Sequence, residues 1–201
     1  MLGNYYDLTI KQFLNFKLIS ELESDPILRN IKLLAELEGK TVEEIESLPI
    51  QDLINKVKTL GRIEALEPDS KVNMKLKVGG KRFIVKWKQQ ELTASQYIDA
   101  THFCKDKDNI VNNIHNILAA ISVECDWLGR TKPYDGKKHK DVSDLFYNKL
   151  KISQAYPILL FFCKYYQELT EVTLTYLTQE TQQVVNNLQE MSKTFTKGGN
   201  G

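Results

Sequence analysis

The sequence predicts an α+β fold, predominantly α-helical with one β-hairpin. Three observations lead there. The stretch KVNMKLKVGGKRFIVKWK, Lys71 to Lys88, alternates with period two on both sides of Gly79-Gly80. Met74, Leu76 and Val78 interleave with Asn73, Lys75 and Lys77, and Phe83, Val85 and Trp87 with Arg82, Ile84 and Lys86. Alternation about a Gly-Gly turn is the pattern of a hairpin with one apolar and one polar face. Second, Thr9–Gln12, Thr41–Glu44 and Thr93–Gln96 have the spacing of capping boxes. Third, apolar residues recur at helical spacing before and after the hairpin.

Taken in order, the Thr9 box opens a helix with Phe13, Leu14, Phe16, Leu18 and Ile19 in its stripe. Asp25-Pro26 is an N-cap followed by proline at the first helical position, where its missing N–H costs nothing. That helix carries Ile27, Leu28, Ile31, Leu34 and Ala35 and stops at Gly39. The Thr41 box starts a short helix with Val42 and Ile45, and Pro49 opens a fourth with Leu53, Ile54, Val57 and Leu60. Glu67-Pro68-Asp69-Ser70 links to the hairpin. The Thr93 box predicts a helix with Tyr97, Ile98, Ala100 and Phe103, and Asp108 is placed to cap the next, with Ile110, Ile114, Ile117, Leu118 and Ile121. Periodicity then fails, and Ser122 to Lys140 reads as a long polar loop with a basic end, Lys137 to Lys140. Helix resumes at Asp141 or Ser143, with Val142, Leu145, Phe146 and Leu150 inward. Ser153 to Leu169 reads as an apolar helix that accommodates Pro157 in its first turn, with a core cluster of Phe161, Phe162, Tyr165 and Tyr166. Beyond Thr170 the chain turns polar and Gln-rich, with a thin seam of Leu177, Val184, Leu188 and Met191 near heptad spacing. The organisation expected is a helical subdomain at 1–66, hairpin and helical core at 67–169, and a polar helix with a loose tail at 170–201.

Composition bounds the function. At 201 residues, 42% hydrophobic and 26% charged, the chain has the make-up of an ordinary globular protein able to bury a core. A net charge of +1 excludes a globally basic nucleic-acid coat but not a local patch. The charge is segregated. Glu21 to Asp52 holds nine acids against three bases, while Lys71 to Lys88 holds seven bases and no acid. These segments either attract one another between copies or remain two solvated faces. Three widely spaced cysteines, Cys104, Cys125 and Cys163, suggest no disulfide framework and fit a reducing compartment. The N-terminus lacks a signal-peptide pattern, and the most apolar run, Ile158 to Cys163, is too short to span a bilayer, so no membrane partner is expected.

Candidate chemistry is sparse. His102 and Cys104 are two apart on a helix and so face apart, no His/Cys pair has zinc spacing, and His115 between polar neighbours reads as a surface residue. There is no G-x-S-x-G and no phosphate-binding glycine loop, and Glu43-Glu44 sits where acids favour a helix start. The expectation is no enzyme, no catalytic residues, no metal and no cofactor. Phe83 and Trp87 share the hairpin's apolar face, which suits packing on a helix better than stacking on bases. What remains is partner binding: Lys75, Lys77 and Lys86 on the cationic face, and Leu177, Val184, Leu188 and Met191 on the C-terminal seam.

The order "LTIKQFLNF", "LLAELEGKTVEEIESLPIQDL", hairpin, "ELTASQYIDATHF", "NIHNILAAIS", "KPYDGKKHKDVSDLFYNKL", "AYPILLFF", running from Leu8 to Phe162, resembles tailed-bacteriophage proteins. These are the tail-assembly-chaperone-like and small tail or baseplate structural proteins. The resemblance implies a non-enzymatic role in phage morphogenesis, with no catalytic residues to carry over. Its partners would be phage tail proteins, a tape-measure-like client or tail and baseplate subunits, together with self-association. It implies a place in the host cytoplasm during assembly or in the virion. The Gln-rich end after Leu169 departs from a short chaperone and leaves a structural subunit retained in the particle as the alternative. From another class, the alternative is a nucleic-acid-binding module using the basic hairpin.

Overall fold

The structure is a computed structural model, and it describes residues 8–60, 72–105 and 109–166. The chain divides into two units, Met1–Leu160 and Phe161–Gly201. Helices α1 (Ile10–Leu22), α2 (Pro26–Glu38), α3 (Val42–Glu46) and α4 (Ile50–Leu60) precede the hairpin β1 (Lys75–Val78) and β2 (Lys81–Val85). Then come α5 (Ala94–Cys104), α6 (Ile114–Ile121), β3 (Ser122–Cys125), α7 (His139–Lys149) and α8 (152–166). The fold is α+β and mostly helical, with one antiparallel sheet in the order β1-β2-β3.

Local chemistry sets the helix starts. Thr9, Thr41 and Thr93 each accept from the N3 backbone N–H, while Gln12, Glu44 and Gln96 reach back to the cap residue. Asp25 accepts from the N–H groups of Ile27 and Leu28, and Gly39 ends α2 in the left-handed region at φ 64°. The hairpin turn holds Gly79 at φ 55° and Gly80 at φ 80°, the two positive values of a type I′ turn. A Cβ on Gly79 would lie 2.7 Å from Leu145 Cδ1, so the turn rests against α7.

The core is built around α6. Ile114, Ile117, Leu118, Ala119, Ala120 and Ile121 are all buried, with α5 and α7 packed against the helix. At eight residues α6 is too short to be stable alone, so packing holds it. The sheet's inner face supplies Leu76, Val78, Phe83 and Val85, and Phe83 meets Phe146 of α7 edge-on at a centroid distance of 4.9 Å. A two-bond stitch fixes the N-terminus: Ile10 N–H donates to Leu150 at 3.0 Å and Ile152 N–H to Leu8 at 2.8 Å. All four of these side chains are buried. A separate cluster of Ile31, Leu34, Ala35 and Ile45 joins α2, α3 and α4, flanked by Val42, Leu48, Leu53 and Val57.

Several expectations are corrected. Ser122 to Lys140 is not a long loop. Ser122–Cys125 forms β3 on the free edge of β2, pairing Val85↔Ser122, Ile84↔Val123, Phe83↔Glu124 and Arg82↔Cys125. Four residues are too few to show alternation, and a strand that short exists only through its partner's hydrogen bonds. Helix α7 begins at His139, ahead of Asp141 and Ser143, preceded by a 3-10 turn over Gly136–Lys138. Helix α6 begins at Ile114 after Asn113, so Ile110 lies in the preceding turns, and Asp108 is outside the described residues. Pro157 falls in the second turn of α8, where it removes one i→i−4 hydrogen bond. His115 is not a surface residue: it is half-buried and its ring lies 5.0 Å from that of Tyr147. Trp87 lies beyond the end of β2 and is only half-buried, with Lys88 Nζ 5.3 Å from its ring centroid. Of the C-terminal aromatics, Phe162 is buried and stacks on Tyr166 at 6.1 Å, while Phe161, Tyr165 and Tyr166 are half-buried.

Candidate functional site

Strand alternation sends Lys75, Lys77 and Arg82 outward, opposite the buried face. Register places Lys77 directly across from Arg82, and Val78 across from Lys81. Like charges directly opposite across a strand pair are destabilising, so folding alone gives no reason for this arrangement. None of Lys75, Lys77, Lys81 and Arg82 has a carboxylate within ion-pair reach among the described residues. Lys86 is half-buried past the end of β2, where its backbone N–H donates to Ile121 at 2.7 Å. The outer face therefore unites Lys75 and Lys77 with Arg82, a neighbour absent from the expected set, while exposed Lys81, across from Val78, ends the opposite face. Leu177, Val184, Leu188 and Met191 lie outside the described residues.

Beside this face the chain makes a second, wider turn. Cys125 bridges to Thr131, and Lys132 N–H donates to Glu124 at 2.8 Å. Asp126 organises the turn between them. Its Oδ1 accepts from Leu128 N–H and Arg130 N–H, both at 2.9 Å, and its Oδ2 accepts from Arg130 Nε at 2.7 Å. Those bonds, led by the Arg130 side chain, hold the Asp126 carboxyl below the usual carboxylate range. Gly129, at φ 82°, lets the chain reverse. The result is a fixed tip that presents Trp127 at 75% and Leu128 at 56% exposure. Arg82 Nη1 donates to the Trp127 carbonyl at 3.2 Å, which joins the tip to the cationic face. The sequence signal for this tip is the Asp-x-x-Gly of Asp126-Trp127-Leu128-Gly129, a turn pattern around an aromatic residue that no core needs.

The segment after the tip is anchored by a three-residue relay. Tyr134 Oη donates to Asp99 Oδ2 of α5 at 2.6 Å and lies 3.1 Å from His139 Nδ1 of α7. The phenol has one proton and gives it to Asp99, so His139 Nδ1–H donates to the phenolic oxygen and Nε2 is left as the acceptor. Burial, then the Asp99 hydrogen bond, raises the Tyr134 pKa. Burial lowers that of His139 despite the pull of Asp99. Phe103 stacks on the His139 ring at 5.3 Å. A cavity of about 390 Å³ adjoins the relay, lined by Phe83, Ser122, Glu124, Tyr134, His139 and Val142 among others. Its rim charges are already matched, Glu124 with Lys132 at 2.7 Å and Asp135 with Lys138 at 3.7 Å.

Among the described residues no group of three or more His, Cys, Asp or Glu is arranged to hold a metal, and no helix is long and apolar enough to cross a membrane. Burial raises the Cys163 thiol pKa, which keeps the sulfur protonated and a poor nucleophile. Comparison with protein-family models, curated proteins and solved structures gave no match.

Proposed function

We propose that this chain is a non-enzymatic morphogenesis protein of a tailed bacteriophage, a tail-assembly chaperone or related tail protein that binds other tail components through the cationic hairpin face. One observation carries the binding half of this reading. Lys75, Lys77 and Arg82 stand together on the outward face of the strand pair, with Lys77 set against Arg82 and no carboxylate within ion-pair reach of them among the described residues. Such a face is poor design for folding and good design for an acidic partner, because complementary charge speeds encounter and fixes orientation. The order of sequence blocks from Leu8 to Phe162 supports the phage setting.

The test is co-purification with the tape-measure-like protein at low and high salt, using the native chain and a Lys75→Glu/Lys77→Glu/Arg82→Glu variant. The native chain retains the partner at low salt and releases it as salt rises; the variant folds and does not bind. Equal retention by both proteins would remove the face from the function. A salt-dependent DNA mobility shift lost in the variant would assign the face to nucleic acid instead. Mass spectrometry of purified particles separates a transient chaperone from a subunit that stays in the virion.

A further inference from the structure

The core-facing side of β3 is polar. Register sets Ser122 across from Val85 and Glu124 across from Phe83, so both share the face that the sheet turns inward. Core-facing strand positions are ordinarily apolar. Here they border the cavity of about 390 Å³ beside the Tyr134 relay. Glu124 is paired with Lys132 at 2.7 Å. Ser122 is 4% exposed, and its Oγ has no hydrogen-bond partner among the described residues. His139 lines the same cavity and carries a second such atom, a buried Nε2 without a partner. A buried polar atom left unpaired forfeits the hydrogen bonds it made with water, so folded chains seldom keep one without a use for it. Two of them on one cavity point to something that the cavity receives.

We propose that this cavity binds a small neutral molecule with an apolar body and an amide- or hydroxyl-type end, held by Ser122 and His139. Each part of that description follows from the lining. The volume lies at the lower end of small-molecule sites, which run from roughly 300 to 1,000 Å³. Phe83, Ala119 and Val142 give an apolar wall. The Nδ1–H of His139 is committed to the Tyr134 oxygen, so Nε2 offers only a lone pair and calls for an N–H or O–H donor. Burial lowers the His139 pKa, which keeps that lone pair free at neutral pH. The Ser122 hydroxyl can donate to a carbonyl or hydroxyl oxygen beside that donor. The charged lining residues cancel: Glu124 bonds Lys132, and Asp135 lies 3.7 Å from Lys138. A neutral ligand leaves both pairs undisturbed. Ser122 Oγ and His139 Nε2 do not bond each other, so no base activates the hydroxyl and the site binds without reacting. It also lies on the opposite face of the sheet from Lys75, Lys77 and Arg82, and so goes beyond the partner-binding reading and does not depend on it.

NMR titration of the full-length chain tests this with three probes: benzamide and p-cresol, which carry a donor, and acetophenone, which has the shape of benzamide without one. Molecules this small bind weakly, so each is taken to about 10 mM. Benzamide and p-cresol should give saturable shifts at Phe83, Ser122 and Val142, and the His139 Nε2 resonance should move as it accepts a hydrogen bond. Acetophenone should bind on the order of tenfold more weakly, because it leaves Nε2 unpaired. The second arm is Ser122→Ala. Since the hydroxyl has no partner in the free protein, removing it should not lower the thermal midpoint, yet it should weaken benzamide binding severalfold. No saturable shift with either donor probe would overturn the proposal. So would equal binding of acetophenone and benzamide, or benzamide affinity unchanged in Ser122→Ala. A lower midpoint in that variant would show that water already satisfies the hydroxyl, and would overturn it as well.

Discussion

Gln96 Nε2 donates to the carbonyl oxygen of Ala120 at 3.0 Å, in a position where Gln96 has no solvent exposure. The same side chain's Oε1 accepts from Thr93 N–H at 3.2 Å. One amide thus closes the capping box of α5 and satisfies a carbonyl near the end of α6. Glutamate would serve the first role and fail the second.

Gln96→Glu should therefore destabilise the protein by about 1–3 kcal/mol at neutral pH, since a carboxylate would face a carbonyl oxygen in a buried site. Burial and that carbonyl would raise the new group's pKa above its unfolded value of about 4.3. The native chain's advantage should be full above the folded pKa and shrink as the pH falls toward the unfolded one, where the protonated acid can donate. Urea unfolding of both proteins between neutral and acid pH reads the gap; a gap independent of pH would place the defect elsewhere.

Tyr134→Phe removes the hydroxyl that Asp99 and His139 share. Two part-buried polar groups lose their partner at once, a loss of about 1–2 kcal/mol. Hydrogen exchange should quicken at Lys138 N–H, which bonds to Asp135 beside the relay, while the α6 amides stay protected.

Acidification should weaken the fold in two stages. Burial holds His115 and His139 below their ordinary value of 6.5, so the unfolded chain binds protons that the folded chain refuses. Stability is then lost as pH falls from about 6.5 toward the lower folded values. Glu38, held down by Lys40 and Lys56, and Glu124, held down by Lys132, act below 4.5 in the same direction. Thermal melts across this range should show the first fall reduced in a His115→Phe variant. An unchanged upper limb would mean that His115 does not contribute.

Phe83→Ala should cost about 3–5 kcal/mol, because Phe83 is 1% exposed and faces Phe146. Trp87→Ala should cost less although the ring is larger, since half-burial leaves less to lose. Denaturant midpoints for the pair test the ranking, and a larger loss at Trp87 would contradict the packing described.

The sequence by itself determined the parts that depend on neighbours in the chain. Thr9, Thr41, Thr93 and Asp25 cap their helices because an N-cap's partners are two or three residues away. Gly79-Gly80 turns the hairpin because the two positive φ values belong to those residues. The cationic character of Lys75 and Lys77 was legible for the same reason: alternation fixes which side chains share a face. Tertiary structure decided everything set by a distant partner. Ser122–Cys125 is a strand only because β2 has a free edge, and Ile27 is exposed because α2 turns its stripe toward Ile31 and Leu34. The Trp127 tip sits beside the hairpin cations because β3 carries it there, and Asp99, Tyr134 and His139 meet across 35 and 5 residues of chain. Periodicity records what a residue needs to bury or expose, but hydrogen bonds between distant segments depend on where the chain returns, and no local pattern encodes that.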